Sequence, residues 1–447
     1  MATHIKDMTQ GRPGSLIIKF ALPLMLGNVF QQLYTVVDTM VVGKALGVAA
    51  LAAVGAADWL NWLMLGVNQG LTQGFAILMA QHFGAKQEEK LRQTVGLSTV
   101  LSVLSALVLM VIGQLAIGPV LRAMDTPAEI YGNAQLYLRI VFAGIPIVMI
   151  YNLLACILRS LGDGKTPLNA MIVASIINIV LDIVFVLVFR WGIAGAAIAT
   201  VIAQVFSSLF CFWKLRQIKI LRMNPSHFKW EGARALQLFR LGVPMAFQNA
   251  IIAIGGMLVQ RVVNGLGVLY IAGFTATNKL YGILEIAATS YGYSMITYVG
   301  QNLGAKKIDR IRQGQRTAVI LSVITSVIIG VIMLVFGKPI LSMFISGTPE
   351  EVQETLRVAY FYLSIMSYCL PFLYLIHICR ASIQGMGNTV LPMASGIAEF
   401  VMRVGTALFL PMLMGATGIF YAEILARIGA DIILIPSYYY VISKVDR

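Results

Sequence analysis

AQHFGAKQEEKLRQT, residues 80–94, returns 220 residues later as GQNLGAKKIDRIRQG, residues 300–314, with Gln81 matching Gln301, Gly84 matching Gly304, Lys86 matching Lys306 and Arg92 matching Arg312. Similar offsets hold elsewhere. Pro23 and Asn28 answer Pro244 and Asn249, Gly192 and Gly195 answer Gly415 and Gly418, and GDGKT at 162–166 answers GMGNT at 385–389. The chain is therefore read as two homologous halves: a first lobe over 1–213, a basic linker over 214–235 and a second lobe over 236–447.

What the halves are made of follows from composition. The 447 residues are 58% hydrophobic and only 12% charged, with a mean hydropathy of +0.82, whereas soluble domains carry about 25% charged residues. A bilayer core of about 30 Å needs roughly 20 apolar helical residues, and twelve such runs recur. They lie at approximately 17–42, 51–80, 95–121, 134–157, 167–189, 194–213, 236–262, 269–299, 317–343, 355–379, 391–413 and 416–442. The expected fold is an all-α integral membrane protein with six transmembrane helices per lobe. Six is even, so both lobes enter the membrane from the same side, the parallel-repeat arrangement used by carriers that alternate access to a midplane site.

A net charge of +14 does not point to nucleic acid, because the basic residues follow the topology. With the N-terminus inside, the outer segments hold only Lys44, Arg122, Arg190, Lys338 and Arg357, whereas the inner ones hold most of the rest, from Lys6 and Arg12 through Lys86, Lys90, Arg92, Lys306, Lys307 and Arg380 to Lys444 and Arg447. This positive-inside bias puts both termini in the cytoplasm of a cell membrane, inner or plasma. The first apolar run is too long for a signal-peptide core, so it is expected to remain as a span. Cys156, Cys211, Cys369 and Cys379 all fall in apolar helices, where thiols behave as small hydrophobes.

Asp38 stands inside the apolar run YTVVDTMVVG, residues 34–43. An aspartate at mid-membrane costs at least about 2.5–3.5 kcal/mol on insertion scales, and such residues usually serve function. The fifth span places Asn178 and Asp182 four residues apart, on one helical face, and Thr200 follows on the sixth. These oxygen ligands suit a hard cation such as Na⁺. Two carboxylates in a low-dielectric site also resist joint ionisation, so they suit a shared proton. By the repeat offsets, Asp38 falls opposite Val259, Asn178 opposite Val401 and Asp182 opposite Gly405, so the set is not common scaffold.

The second half has a different polar set. Glu399 with Arg403, and Glu423 with Arg427, are spaced for intrahelical ion pairs. Glu285 has no evident partner in the sequence, and with Tyr281 one turn before it could hold a cationic substrate by charge and by cation–π contact. Tyr34 and Gln31, one and two turns before Asp38, join this candidate substrate set. Gly164, Lys165 and Thr166 imitate the end of a phosphate loop, but Arg159 occupies the place of its first glycine, and the sequence holds no HExxH or GxSxG motif. The chain is not expected to be an enzyme.

The stretch ALPLMLGNVFQQLYTVVDTMVVGKALGVAALAAVG, the loops AQHFGAK and GQNLGAK, and RSLGDGKTPLNAMIVASIINIVLD with WGIAGAAIAT together resemble the MATE (multidrug and toxic compound extrusion) transporters, in a larger group that includes lipid-precursor flippases. The resemblance implies a V-shaped pair of six-helix lobes around a central cavity, and export of organic cations or amphipathic drugs in exchange for H⁺ or Na⁺. The DinF-type branch looks nearest: its cation site has an Asp on the first helix, an Asn and Asp on the fifth and a Thr on the sixth, which Asp38, Asn178, Asp182 and Thr200 match. The NorM-type branch carries acids on the seventh and tenth helices, where this chain has only Glu354 at an outer helix end. No cofactor beyond the coupling ion is implied. The partners expected are a small organic substrate and the lipid bilayer, with the chain acting as a monomer. A flippase for a lipid-linked precursor is the alternative.

Overall fold

The computed structural model describes residues 4–343, 345 and 348–446, the side chains at 39, 48 and 268 excepted; Arg447, counted above among the inner basic residues, lies outside them. The first half contains α1 (Pro13–Leu46), α2 (Val48–Gly84), α3 (Glu88–Ala123), α4 (Ala128–Ala143), α5 (Ile145–Ser160), α6 (Lys165–Asp182) and α7 (Ile193–Arg216). The second repeats the pattern with α8 (Gly232–Asn264), α9 (Val268–Gly304), α10 (Ile308–Ser342), α11 (Pro349–Tyr368), α12 (Leu370–Gly385), α13 (Val390–Met414) and α14 (Ala422–Val445).

These α-helices make twelve rods, because α4 and α5 form one rod bent by 47°, and α11 and α12 another bent by 48°. Each bend falls just before a proline at the second position of the following helix, Pro146 or Pro371. Proline lacks an N–H and its ring clashes with the preceding turn, so it is tolerated at a helix start and not within a continuous ladder. Among the described residues, eight helices are long and apolar enough to span a bilayer, or ten if each bent pair is one span. The remaining two rods, α9 and α14, are the ones that carry Lys279 with Glu285, and Glu423, Arg427 and Asp431. The protein is an all-α, multi-pass membrane protein of twelve helical rods in two homologous sets.

The repeat is visible in backbone detail. After α2, Lys86 takes φ 57°, and after α9 Lys306 takes the same value. The hydrogen bonds match as well: Lys86 N–H donates to Phe83 (3.0 Å) and Gln87 N–H to His82 (3.0 Å), while Lys306 donates to Leu303 (2.9 Å) and Lys307 to Asn302 (2.8 Å). Left-handed backbone in a non-glycine residue is uncommon, so its recurrence marks one inherited turn.

A second turn corrects the register read from the sequence. Gly162 (φ 80°) has its counterpart in Gly387 (φ 87°) rather than Gly385: the N–H of each bonds three residues back, to Arg159 (2.9 Å) and Gln384 (2.8 Å). The residue after each then caps the next helix, Asp163 Oδ1 accepting from the Thr166 N–H at 3.0 Å and Asn388 Oδ1 from the Leu391 N–H at 3.1 Å. This register puts Asn178 opposite Arg403 and Asp182 opposite Ala407, not Val401 and Gly405. The first half regains its offset by Gly192 because residues Ile183–Val188 wind as a π-helix, a wider turn that accommodates extra residues and recurs at functional sites.

By packing, the chain divides into one unit of Met1–Met8 and Leu22–Ala246 and another of Thr9–Ala21 and Phe247–Arg447. The start of α1 is thus grouped with the second unit, where the carbonyl of Ile17 accepts from Ser294 Oγ (3.1 Å) and that of Thr9 from Lys307 Nζ (2.9 Å). The start of α8 is grouped with the first, where Gly74 faces the backbone of Gly242 too closely for any Cβ. The residues between α7 and α8 lie on α3, where Ile220 O accepts from Arg92 Nε (2.8 Å) and His227 Nε2 meets Glu89 Oε1 (3.2 Å). A stack of Phe274, Tyr362 and Phe420, with centroids 5.1 and 4.8 Å apart, sits in the core of the second unit.

Candidate functional site

In the first unit, α1, α6 and α7 bring the predicted polar set together. The helical period puts Tyr34 and Asp38 on one face of α1 and Asn178 and Asp182 on one face of α6. Asp182 is fully buried and Asn178 is 1% exposed. Asn178 Nδ2 donates to Thr200 Oγ1 at 3.5 Å, at the limit of a hydrogen bond, and Thr200 donates back to Ala196 O at 3.1 Å. The carboxyls of Asp38 and Asp182 lie within hydrogen-bond reach of each other.

That contact is chemically incomplete. Asp38 Oδ1, both oxygens of Asp182 and Asn178 Oδ1 are buried with no hydrogen-bond partner among the described residues. Two facing carboxylates cannot satisfy one another, since an ionised carboxylate only accepts, and buried unpaired charge is costly. A proton between them, or a small cation with the oxygens around it, removes the conflict. The donor set fits either ion: two carboxyls, an amide oxygen and a hydroxyl are all hard ligands. Among the described residues, no group of three or more His, Cys, Asp or Glu side chains could hold a metal ion.

The set opens on a pocket with an empty volume of about 220 Å³, lined by Tyr34, Asn178, Thr200 and Gln204 together with small and apolar residues of α6 and α7. Gln31 is exposed and is not among its lining residues. Three residues passed over in the sequence join this neighbourhood. Asp58 on α2 and the buried Tyr137 on α4 lie within electrostatic reach of Asp38, and Gln204 Oε1 is a further buried acceptor without a partner. An acid in the second apolar run was the available signal for Asp58; nothing local distinguishes Tyr137 from packing.

The second unit answers with ion pairs. Arg403 Nη2 bonds Glu399 Oε1 at 2.7 Å and Glu423 Oε2 at 3.0 Å; Arg427 Nη2 meets Glu423 Oε2 at 3.5 Å; Arg380 Nη2 bonds Glu399 Oε2 at 2.9 Å. Both predicted intrahelical pairs form, and cross-helix pairs join them into a network. Arg380, counted above as an inner surface cation, is half-buried in that network, its side chain 13% exposed. Glu285 also differs from its reading: His377 Nε2 on α12 stands 3.3 Å from its Oε1. Tyr281 holds Arg427, whose guanidinium lies 4.7 Å from the ring centroid and donates to the phenol oxygen.

Comparison with known proteins agrees with this architecture. The family model MatE matches residues 23–184 and again 244–409, one block in each half. The chain is 32% identical over 385 residues to "Probable multidrug resistance protein YoeA" of Bacillus subtilis, covering 83% of this chain and 81% of that protein. It is 30% identical to "Probable multidrug resistance protein YpnP" of the same organism, over 90% of both. A solved structure, "Outward-facing conformation of a multidrug resistance MATE family transporter of the MOP superfamily", superposes with a TM-score of 0.91 at 22% identity, covering 99% of this chain and 98% of that one. With two family-model blocks covering most of its length and its internal repeat between them, the chain belongs to the MATE family of multidrug efflux transporters.

Proposed function

We propose that the protein is a secondary antiporter that exports organic cations or amphipathic drugs in exchange for H⁺ or Na⁺, with Asp38 and Asp182 as the coupling carboxyls and Asn178 and Thr200 as their neutral ligands. The facing, donor-free carboxyls of Asp38 and Asp182 support this reading above all. Ion uptake from outside relieves their repulsion and changes how α1, α6 and α7 pack, and the repeated lobes provide the alternating access on which such a cycle runs. Drug and ion then draw on one conformational equilibrium. A coupling of about 1–3 kcal/mol alters each affinity about 5- to 150-fold, reciprocally.

On the drug side, Tyr34 lines the pocket of the first unit, with Gln31 one turn away on α1. Glu285, whose side chain is 33% exposed, is the carboxylate of the second unit best placed to meet a cationic substrate, with Tyr281 beside it. The chain performs no covalent chemistry and works as a monomer in the cell membrane with both termini cytoplasmic. The relatives' multidrug names favour this reading over a lipid-precursor flippase. Of the intramembrane cations Arg261, Lys279, Arg403 and Arg427, the last two each carry a carboxylate partner, which leaves those two poorly placed to receive a pyrophosphate.

The test is uptake of a fluorescent organic cation into proteoliposomes under an imposed pH gradient and then an imposed Na⁺ gradient, wild type beside Asp38→Asn. One gradient should drive the wild type, and the variant should be folded and inactive. Full coupled flux in Asp38→Asn would remove Asp38 from the mechanism.

A further inference from the structure

Asp431 on α14 differs from every other acid in the ion-pair network of the second unit. It is 4% exposed, and both of its carboxyl oxygens are buried with no hydrogen-bond partner among the described residues. The elements packed on α14 are α12, α13 and the 3₁₀ turn Ala416–Tyr421. From α12, Arg380 and Cys379 lie within electrostatic reach of Asp431, from α13 Glu399, and from its own helix Arg427. Tyr438, two turns on, neighbours Cys379, and the 3₁₀ turn offers only Tyr421.

The cations in reach are already engaged. Arg380 Nη2 donates to Glu399 and, at 3.4 Å, to Ser395 Oγ; Arg427 Nη2 donates to Tyr281 and to Glu423. Among the described residues, the ion pairs of the network join Glu399 and Glu423 to Arg380, Arg403 and Arg427, and none of them includes Asp431. An ionised Asp431 would be a buried charge outside every one of these pairs, which a bilayer-embedded site tolerates only by pairing or neutralisation.

From this geometry we infer that Asp431 is a second proton site: a neutral carboxylic acid that exchanges its proton with water during the transport cycle. When that proton leaves, Arg380, within electrostatic reach of Asp431, offers a buried donor that has no partner among the described residues, its Nε. Pairing there competes with the hold of Arg380 on Glu399, so proton exchange at α14 is linked to the contact between α12 and α13. The site belongs to this half alone, since the corresponding residue of the first half is Ser208, whose hydroxyl donates to Gln204 O at 2.8 Å. The inference extends the antiport reading and rests on it for its role in transport, so its test reads protonation and not flux.

Infrared difference spectra of the purified protein at neutral pH, Asp38→Asn/Asp182→Asn against the same protein with Asp431→Asn added, should show one protonated-carboxyl band lost in the triple variant. Its melting temperature should be unchanged, because the amide copies the shape of the neutral acid. Identical spectra, or no protonated-carboxyl band in the parent, would overturn the assignment whether or not the protein proves to be an antiporter. Should the triple variant not fold, the subtraction of Asp431→Asn from wild type reads the same band.

Discussion

The two halves meet the same structural problem with opposite chemistry. In the corrected register Asn178 corresponds to Arg403 and Thr200 to Glu423, and both pairs touch: Asn178 with Thr200 at 3.5 Å, Arg403 with Glu423 at 3.0 Å. On the first helix of each half, Tyr34 corresponds to Gly255. Arg403 Nη1 lies 3.4 Å from where a Cβ on Gly255 would stand, so the absent side chain leaves room for the guanidinium. Tyr34 instead borders an open pocket. The second half fills this position with a network of ion pairs, while the first leaves it neutral beside two carboxyls that offer each other no donor. An inherited scaffold position has become a strut in one lobe and a candidate ion receptor in the other.

The largest effect should come from breaking the strut. Arg403→Leu leaves Glu399 and Glu423 facing hydrocarbon with half their partners gone. Removing one member of a buried pair costs about 3–5 kcal/mol, which thermal melting of the purified protein in detergent would register as a large drop. A shift of a degree or two would mean that the network is dispensable and that the contrast between lobes is only one of composition. Next comes the turn that fixes the register. Gly162→Ala imposes a left-handed backbone cost of about 1–2 kcal/mol and drives a methyl into the carbonyl of Lys6. Gly387→Ala at φ 87° should bear the same backbone cost, so both variants should melt below wild type; a Gly387→Ala protein that melts with wild type would undo the equivalence of the two glycines.

That equivalence also marks where the sequence stopped being legible. The repeat at 80–94 and 300–314, the twelve apolar runs and the acids Asp38 and Asp182 could all be read directly, because each is a pattern of residue type against a known period. The register between 162 and 192 could not, because the π-helix over Ile183–Val188 has no compositional signature: IVFVLV reads equally as α-helix. Identity matching therefore slid GDGKT onto GMGNT by two residues and hid that Asn178 has a charged counterpart. The Glu285 to His377 contact was invisible for another reason. Its partners are 92 residues apart, and no local spacing encodes a contact between α9 and α12. The breaks at Gly144 and Cys369 were the opposite case, announced by Pro146 and Pro371 and passed over only because a largely apolar run continues across each break.

The smallest expected effect on stability is the most informative about function. Asp182→Asn keeps the shape of a fully buried residue and places an amide donor opposite Asp38, where the native pair has none. If the carboxyl pair exists to receive an ion, the amide replaces that ion's structural role, and the variant should melt within about 1 kcal/mol of wild type or slightly above it, since satisfying a buried acceptor contributes about 0.5–1.5 kcal/mol. It should do so while gradient-driven export is lost. If Asp182→Asn instead destabilised the protein as severely as Arg403→Leu, the first half would be holding itself together through Asp182 as the second does through Arg403. Coupling would then have to be sought among acids that the lobes do not need for folding, with Asp58 on α2 and Asp431 on α14 first in line.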